Sequence, residues 1–67
     1  MTQIITEDGK TLKVGDRAFN YYDMQPGEIE LIDYDGWFEF RHDNGSKAYL
    51  DGSRICSIEF ATKKGWI

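Results

Sequence analysis

The stretch GEIELIDYDGWFEFRHDNGSKAYL, residues 27–50, reads as three short strands joined by two tight turns. In residues 27–33, Ile29 and Leu31 alternate with Glu28, Glu30 and Ile32, so one strand face is apolar and the other mixed. Tyr34-Asp35-Gly36 then turns into residues 37–42, where Phe38 and Phe40 share a face opposite Trp37, Glu39 and Arg41. Asp43-Asn44-Gly45 closes a second hairpin, and Ala48 and Leu50 align in the returning strand. Asp-Gly and Asn-Gly supply the positive φ that tight hairpin turns require.

The same punctuation extends both ways. Asp8-Gly9, Val14-Gly15-Asp16 and Pro26-Gly27 precede or open the stretch, and Asp51-Gly52 follows it. The intervals predict a strand over 2–6, a short segment over 11–13 and a strand over 17–21. A loop around 22–26 is expected to end at Pro26, which lacks an N–H and so stops a ladder. After a single 3₁₀-like turn at 51–53, residues 54–60 are expected to form the last strand. No segment carries a helical period over the 11 or more residues that such a reading needs.

Five or six short antiparallel strands cannot bury both faces of an open sheet at 67 residues. Curling into a small barrel encloses the apolar face and removes most exposed edges. The expected fold is an all-β barrel in one domain, with an N-terminal hairpin (2–13), a barrel body (14–60) and a short tail (61–67). Its expected interior is Ala18, Ile29, Leu31, Phe38, Phe40, Ala48, Leu50, Ile55 and Ile58. A core of this size rarely supplies more than ~3–5 kcal/mol of net stability. The lone Cys56 has no partner for an internal disulfide, and no Cys/His cluster is present to hold zinc.

The order of elements resembles an SH3-like barrel. Val14-Gly15-Asp16-Arg17-Ala18-Phe19 followed by Gly27-Glu28-Ile29 is similar to the opening of many small bacterial barrels of this kind. The whole chain also resembles uncharacterised small proteins of actinobacterial tailed phages. That resemblance is carried by residues 15–23, Gly36-Trp37-Phe38, Arg41-His42-Asp43 and Arg54-Ile55-Cys56-Ser57. It implies an accessory role and brings no catalytic residues. In peptide-binding SH3 domains an Ala-Leu-Tyr-Asp-Tyr motif opens an acidic first loop and a Trp begins a later strand. Residues 18–23 and Trp37 stand in those places, but the first loop is too short. The Pro and Tyr expected near the 3₁₀ turn are also missing from residues 51–55. Proline-rich recognition is therefore disfavoured.

Charge narrows the partner class. A net charge of −4 argues against general nucleic-acid binding, which depends on Lys and Arg neutralising phosphates. Residues 23–39 hold six carboxylates (Asp23, Glu28, Glu30, Asp33, Asp35, Glu39) and no base. This is either a solvated acidic hairpin or an electrostatic face for a basic partner. Tyr21, Tyr22, Tyr34 and Trp37 either cover the barrel ends or form a binding patch. In the second case the 21–23 loop and the 34–37 turn meet at one end, with Asp23, Asp33 and Asp35 as an acidic rim. Such a patch anchors an Arg or Lys by cation–π contact, or resembles the methyl-lysine cage of Tudor-type barrels.

Catalytic chemistry finds little footing. His42 and Cys56 are the only members of a possible dyad and lie in no recognisable motif. His42 is expected to be exposed beside its turn, and Cys56 to be buried as a small apolar-like thiol. No glycine-rich phosphate loop precedes a helix, and a domain this small offers no deep cleft for a carboxylate pair. Arg54 is placed to pair with Asp51 or Asp16, and Trp66 and Ile67 to pack back across a barrel end or hook another chain. A homodimer through an exposed edge strand is a further option.

The expectation is a non-catalytic module without cofactor or metal that binds a host or phage protein through Tyr21, Tyr22, Asp23, Asp33, Tyr34, Asp35 and Trp37. Nucleic-acid binding through Lys13, Arg41 and Lys47, or an oligomeric structural role, are the alternatives. The N-terminus has no basic region followed by a long apolar run, and no segment approaches a membrane span. A cytoplasmic location, the host cytoplasm if phage-encoded, is expected.

Overall fold

The computed structural model describes residues 2–67. A hairpin of β1 (Gln3–Ile5) and β2 (Thr11–Lys13) leads into β3 (Arg17–Asn20), β4 (Gln25–Ile32), β5 (Phe38–His42) and β6 (Lys47–Leu50). A 3₁₀ turn (Gly52–Arg54), a two-residue β7 (Ile55–Cys56) and a helix α1 (Ile58–Lys63) complete the chain. The five later strands form one antiparallel sheet in the order β6-β5-β4-β3-β7, which curls into the expected small all-β, barrel-like fold. No helix is long and apolar enough to cross a membrane among the described residues.

Three hairpins are closed by the same device. In each, a glycine N–H donates back three residues and the next residue's carbonyl accepts from the first residue's N–H. The first residues are Thr6, Asp33 and His42, and the turn bonds are 2.7–3.1 Å long. Each glycine is left-handed, the signature of a three-residue loop with a bulge. The turn dipeptides thus set the register of β1–β2, β4–β5 and β5–β6.

Ala18, Ile29, Phe38, Phe40, Leu50 and Ile55 are buried in one cluster, as the strand alternation requires, with Ala48 partly buried against them. Ile4 joins that cluster and Leu12 packs on it, so the N-terminal hairpin supplies part of the core. Leu31 does not. Ile29 faces Phe40 while Leu31 faces Glu39, leaving one extra residue on β4. This bulge puts Glu30 and Leu31 together on the outer face and returns Ile32 to the interior; Leu31 is 50% exposed.

Three further expectations are corrected. Pro26 does not end a ladder: it lies within β4, opposite Phe19. Its carbonyl accepts from Asp43 N at 2.9 Å on the β5 side, so its missing N–H falls beyond the end of β5. Residues 54–60 do not form one strand. Ser57 caps a helix by accepting from Phe60 N at 3.1 Å, and Ile58 lies half-buried in a second cluster with Phe19, Cys56 and Ala61. His42 is buried, not exposed, because it occupies an inward position of β5 beside Phe40.

Two contacts tie the N-terminal hairpin to the end of the barrel. Asp8 accepts from Ser57 N at 2.9 Å and Ser57 Oγ at 2.6 Å, and from Thr6 Oγ1 at 2.6 Å. Gly52 passes so close to Ile5 that a Cβ there would lie 2.0 Å from the Ile5 carbonyl oxygen. Because the obstacle is backbone, Gly52→Ala is expected to destabilise the fold by at least about 1–3 kcal/mol, read as a lower urea midpoint.

Partial burial raises the Asp8 pKa, but the hydrogen bonds from Ser57 and Thr6 outweigh it and hold the carboxyl below the ordinary 3.8. Its contribution to stability is therefore present above that value and is lost as pH falls through the lowered one. Asp8→Asn is expected to lose stability at pH 7 and to show a shallower further loss from pH 4 to pH 2 than the wild type, by urea titration at each pH.

Candidate functional site

Eight residues of β4 separate the two loops that the sequence groups together. At ~3.3 Å per residue they hold the 21–24 turn and the 34–36 turn at opposite ends of the strand, more than ~20 Å apart along it. The seven expected site residues therefore divide into two groups. Tyr21, Tyr22 and Asp23 lie at the β3–β4 end; Asp33, Tyr34, Asp35 and Trp37 lie at the β4–β5 end.

The β3–β4 end is closed on itself. Trp66 stacks on Phe19 (ring centroids 5.8 Å) and Tyr21 (6.1 Å) and meets Phe60 edge-on at 6.0 Å. The backbone after α1 dictates this position. Gly65 N donates to Thr62 O at 3.1 Å and Trp66 N to Ala61 O at 2.9 Å, with Gly65 left-handed. That is a Schellman motif, and its usual apolar contact is Trp66 on Phe60. Tyr21 donates its hydroxyl to the Ser53 carbonyl. Arg54 does not pair with Asp51 or Asp16; its guanidinium lies 4.8 Å from the centroid of Tyr22. The cation–π position on Tyr22 is thus filled from within the chain. A cleft of about 410 Å³ borders Tyr21, Phe60, Trp66 and Cys56. Burial, and then Asp8, push the Cys56 thiol pKa up, away from the thiolate that nucleophilic work requires.

A buried polar network underlies this end. Asn20 Nδ2 donates to Asp23 Oδ2 at 3.3 Å and to His42 Nε2 at 3.0 Å, while Asn20 Oδ1 accepts from Tyr22 N at 3.0 Å. Nε2 must then be the acceptor, which places the ring proton on Nδ1. There it donates to Ser46 O (3.1 Å) and Ser46 Oγ (2.9 Å), whose own proton goes to Asn44. Each polar group has its complement, so His42 is a structural bridge between two turns.

The β4–β5 end is open. Trp37 stacks on Tyr49 at 5.5 Å, and Tyr49 donates its hydroxyl to Asp33. Leu31, displaced outward by the bulge, faces Glu39, which in turn faces Tyr49 across β5 and β6. Asp35 accepts from Trp37 N at 3.2 Å, and Tyr34 stands 88% exposed at the tip. The result is an outward apolar strip of Leu31, Trp37 and Tyr49 bordered by Asp33, Asp35 and Glu39. The sequence reading missed Leu31 and Tyr49. Tyr49 was accessible to it: counting outward from the Asn44-Gly45 turn puts it opposite Glu39 and diagonal to Trp37.

Electrostatics sharpen the contrast along the same outer face. Arg41 bonds Glu30 at 2.9 Å and lies 3.7 Å from Glu28, and Lys47 reaches Glu30 at 3.1 Å. The Arg41 and then Lys47 hydrogen bonds hold the Glu30 carboxyl below its ordinary pKa. Lys13 pairs with Asp16 at 3.4 Å. All three bases of the alternative nucleic-acid face thus carry carboxylate partners. Asp33, Asp35 and Glu39 have no cationic partner among the described residues. No group of three metal-ligating side chains comes together among those residues either.

The β3–β4 turn holds one further feature, Met24 at φ 57, a left-handed conformation that non-glycine residues rarely adopt. Its side chain is half exposed, so little packing is lost by removing it. Met24→Gly is expected to raise stability by roughly 0.5–1 kcal/mol, the relief of strain exceeding the added freedom of the unfolded chain. A lower urea midpoint would contradict this.

Compared with known proteins, the chain matches no family model, no curated protein and no solved structure.

Proposed function

We propose that this protein is a non-catalytic binding module that engages another protein through the outer face at the β4–β5 end. The observation that carries this reading is the exposed Trp37–Tyr49 stack with Leu31, set among three carboxylates that no base among the described residues neutralises. Aromatic side chains offer large contact area at low entropic cost and anchor interfaces out of proportion to their number. The unpaired acids add long-range attraction for a basic partner, which raises its association rate more than its final affinity. The resemblance to small phage proteins supports an accessory role, with a host or phage protein as the partner.

Nucleic-acid binding is the weaker reading, because Lys13, Arg41 and Lys47 are each held by a carboxylate. The test is affinity capture from a host lysate with wild type, Trp37→Ala and Tyr22→Ala, each first shown folded by circular dichroism. Trp37→Ala is expected to lose the captured protein by about tenfold or more, as truncating an interface anchor does, while Tyr22→Ala retains it. Equal recovery with all three removes this face from consideration.

A further inference from the structure

Resting on that reading, we propose that the free edge of β6 takes an extended, basic segment of the partner as a sixth strand of the sheet. Strand β6 ends the order β6-β5-β4-β3-β7 and, among the described residues, pairs only with β5. In an antiparallel strand both backbone polar groups of one residue point to the same side, and the side alternates. His42 N donates to Ser46 O, so Ser46, Ala48 and Leu50 address β5. The backbone groups of Lys47 and Tyr49 therefore point away from the sheet. No backbone group among the described residues bonds to them there.

Exposed edges are commonly guarded by proline or by a lysine projecting over them. Residues 47–50 contain no proline, and the one lysine is turned the other way: Lys47 Nζ reaches across the sheet to Glu30 on β4. The edge is open at the place where the apolar strip ends. A residue added opposite Tyr49 becomes its cross-strand neighbour on the outer face, beside the Trp37 stack and within reach of Glu39 and Asp33. An arginine or lysine fits that position by stacking on the ring and facing carboxylates that lack a base. A second copy of this chain fits poorly, since pairing two β6 edges brings two such acidic borders together in a protein of net charge −4. The occupant is a strand of opposite charge.

The probe is an acetylated and amidated Arg-Val-Arg-Val-Arg-Val peptide, compared with two N-methylated forms. In an antiparallel added strand, as in every other pair of this sheet, an arginine opposite Tyr49 directs its backbone at β6, so methylating the arginine nitrogens blocks the ladder while methylating the valine nitrogens leaves it intact. The unmodified and valine-methylated peptides are expected to bind, to weaken with salt, and to slow hydrogen exchange of the Lys47 and Tyr49 amides. Arginine methylation is expected to weaken binding at least about tenfold, the loss of two or more backbone hydrogen bonds. Equal binding of all three peptides, abolished by Trp37→Ala, overturns the added strand and leaves the binding face standing. No binding of the unmodified peptide tighter than ~1 mM, or unprotected Lys47 and Tyr49 amides in the complex, overturns the inference as well.

Discussion

The irregularity in β4 between Ile29 and Leu31 is the constraint on which the rest of the molecule depends. A strand of strict alternation would send Ile29 and Leu31 inward and leave Ile32 outside. With one residue inserted, Ile29 and Ile32 both reach the core, and the strand gains the local twist and bend that a bulge brings. β4 pairs with β3 over residues 25–28 and with β5 from Gly27 to Ile32, so a bend in it folds one half of the sheet over the other. The bulge also places Glu30 and Leu31 side by side on the outer surface. Glu30 then collects Arg41 and Lys47, while Leu31 begins the apolar strip.

That single surface thus carries two opposite solutions to the same problem. Toward the β5–β6 turn, Glu28 and Glu30 of β4 draw in Arg41 of β5 and Lys47 of β6, and the four charges neutralise one another. Toward the β4–β5 turn, aromatics replace the bases and the acids stand alone. Exposed ion pairs of the first kind contribute little each, at most ~1 kcal/mol. Their visible effect is that Arg41 and Lys47 each face a carboxylate of β4.

Much of the architecture was legible because turn chemistry and strand alternation act locally. The glycine-centred turns set three registers, and the inward positions of Phe38, Phe40 and Leu50 follow from counting. What alternation cannot express is an inserted residue, so Leu31 was assigned to the wrong side. The helix escaped for a different reason. Six residues are too few to show a period, and its signals are caps: Ser57 before it and Gly65-Trp66 after it. Pro26 misled because a missing N–H matters only when it points at a partner. The candidate site was half legible: Asp33, Asp35 and Trp37 share a turn and stay together. Their separation from Tyr21 and Tyr22 depends on β4 running eight residues between them, from 25 to 32, where the sequence reading begins the strand after Pro26, at residue 27.

The bond from Ser57 to Asp8 joins residues 49 apart in the chain, and the β3–β7 pairing joins Phe19 to Cys56 and Asn20 to Ile55. Between them the central meander of β3 to β6 is made of local hairpins that form on the microsecond scale. The ring that Asp8 and Ser57 close is the expensive step entropically, and it yields its contacts only when both distant segments are in place. The helix cap and the docking of the first hairpin therefore share one residue, Ser57, which accepts from Phe60 N and donates to Asp8. A barrel assembled in this order exposes the β6 edge early and hides its remaining apolar surface last.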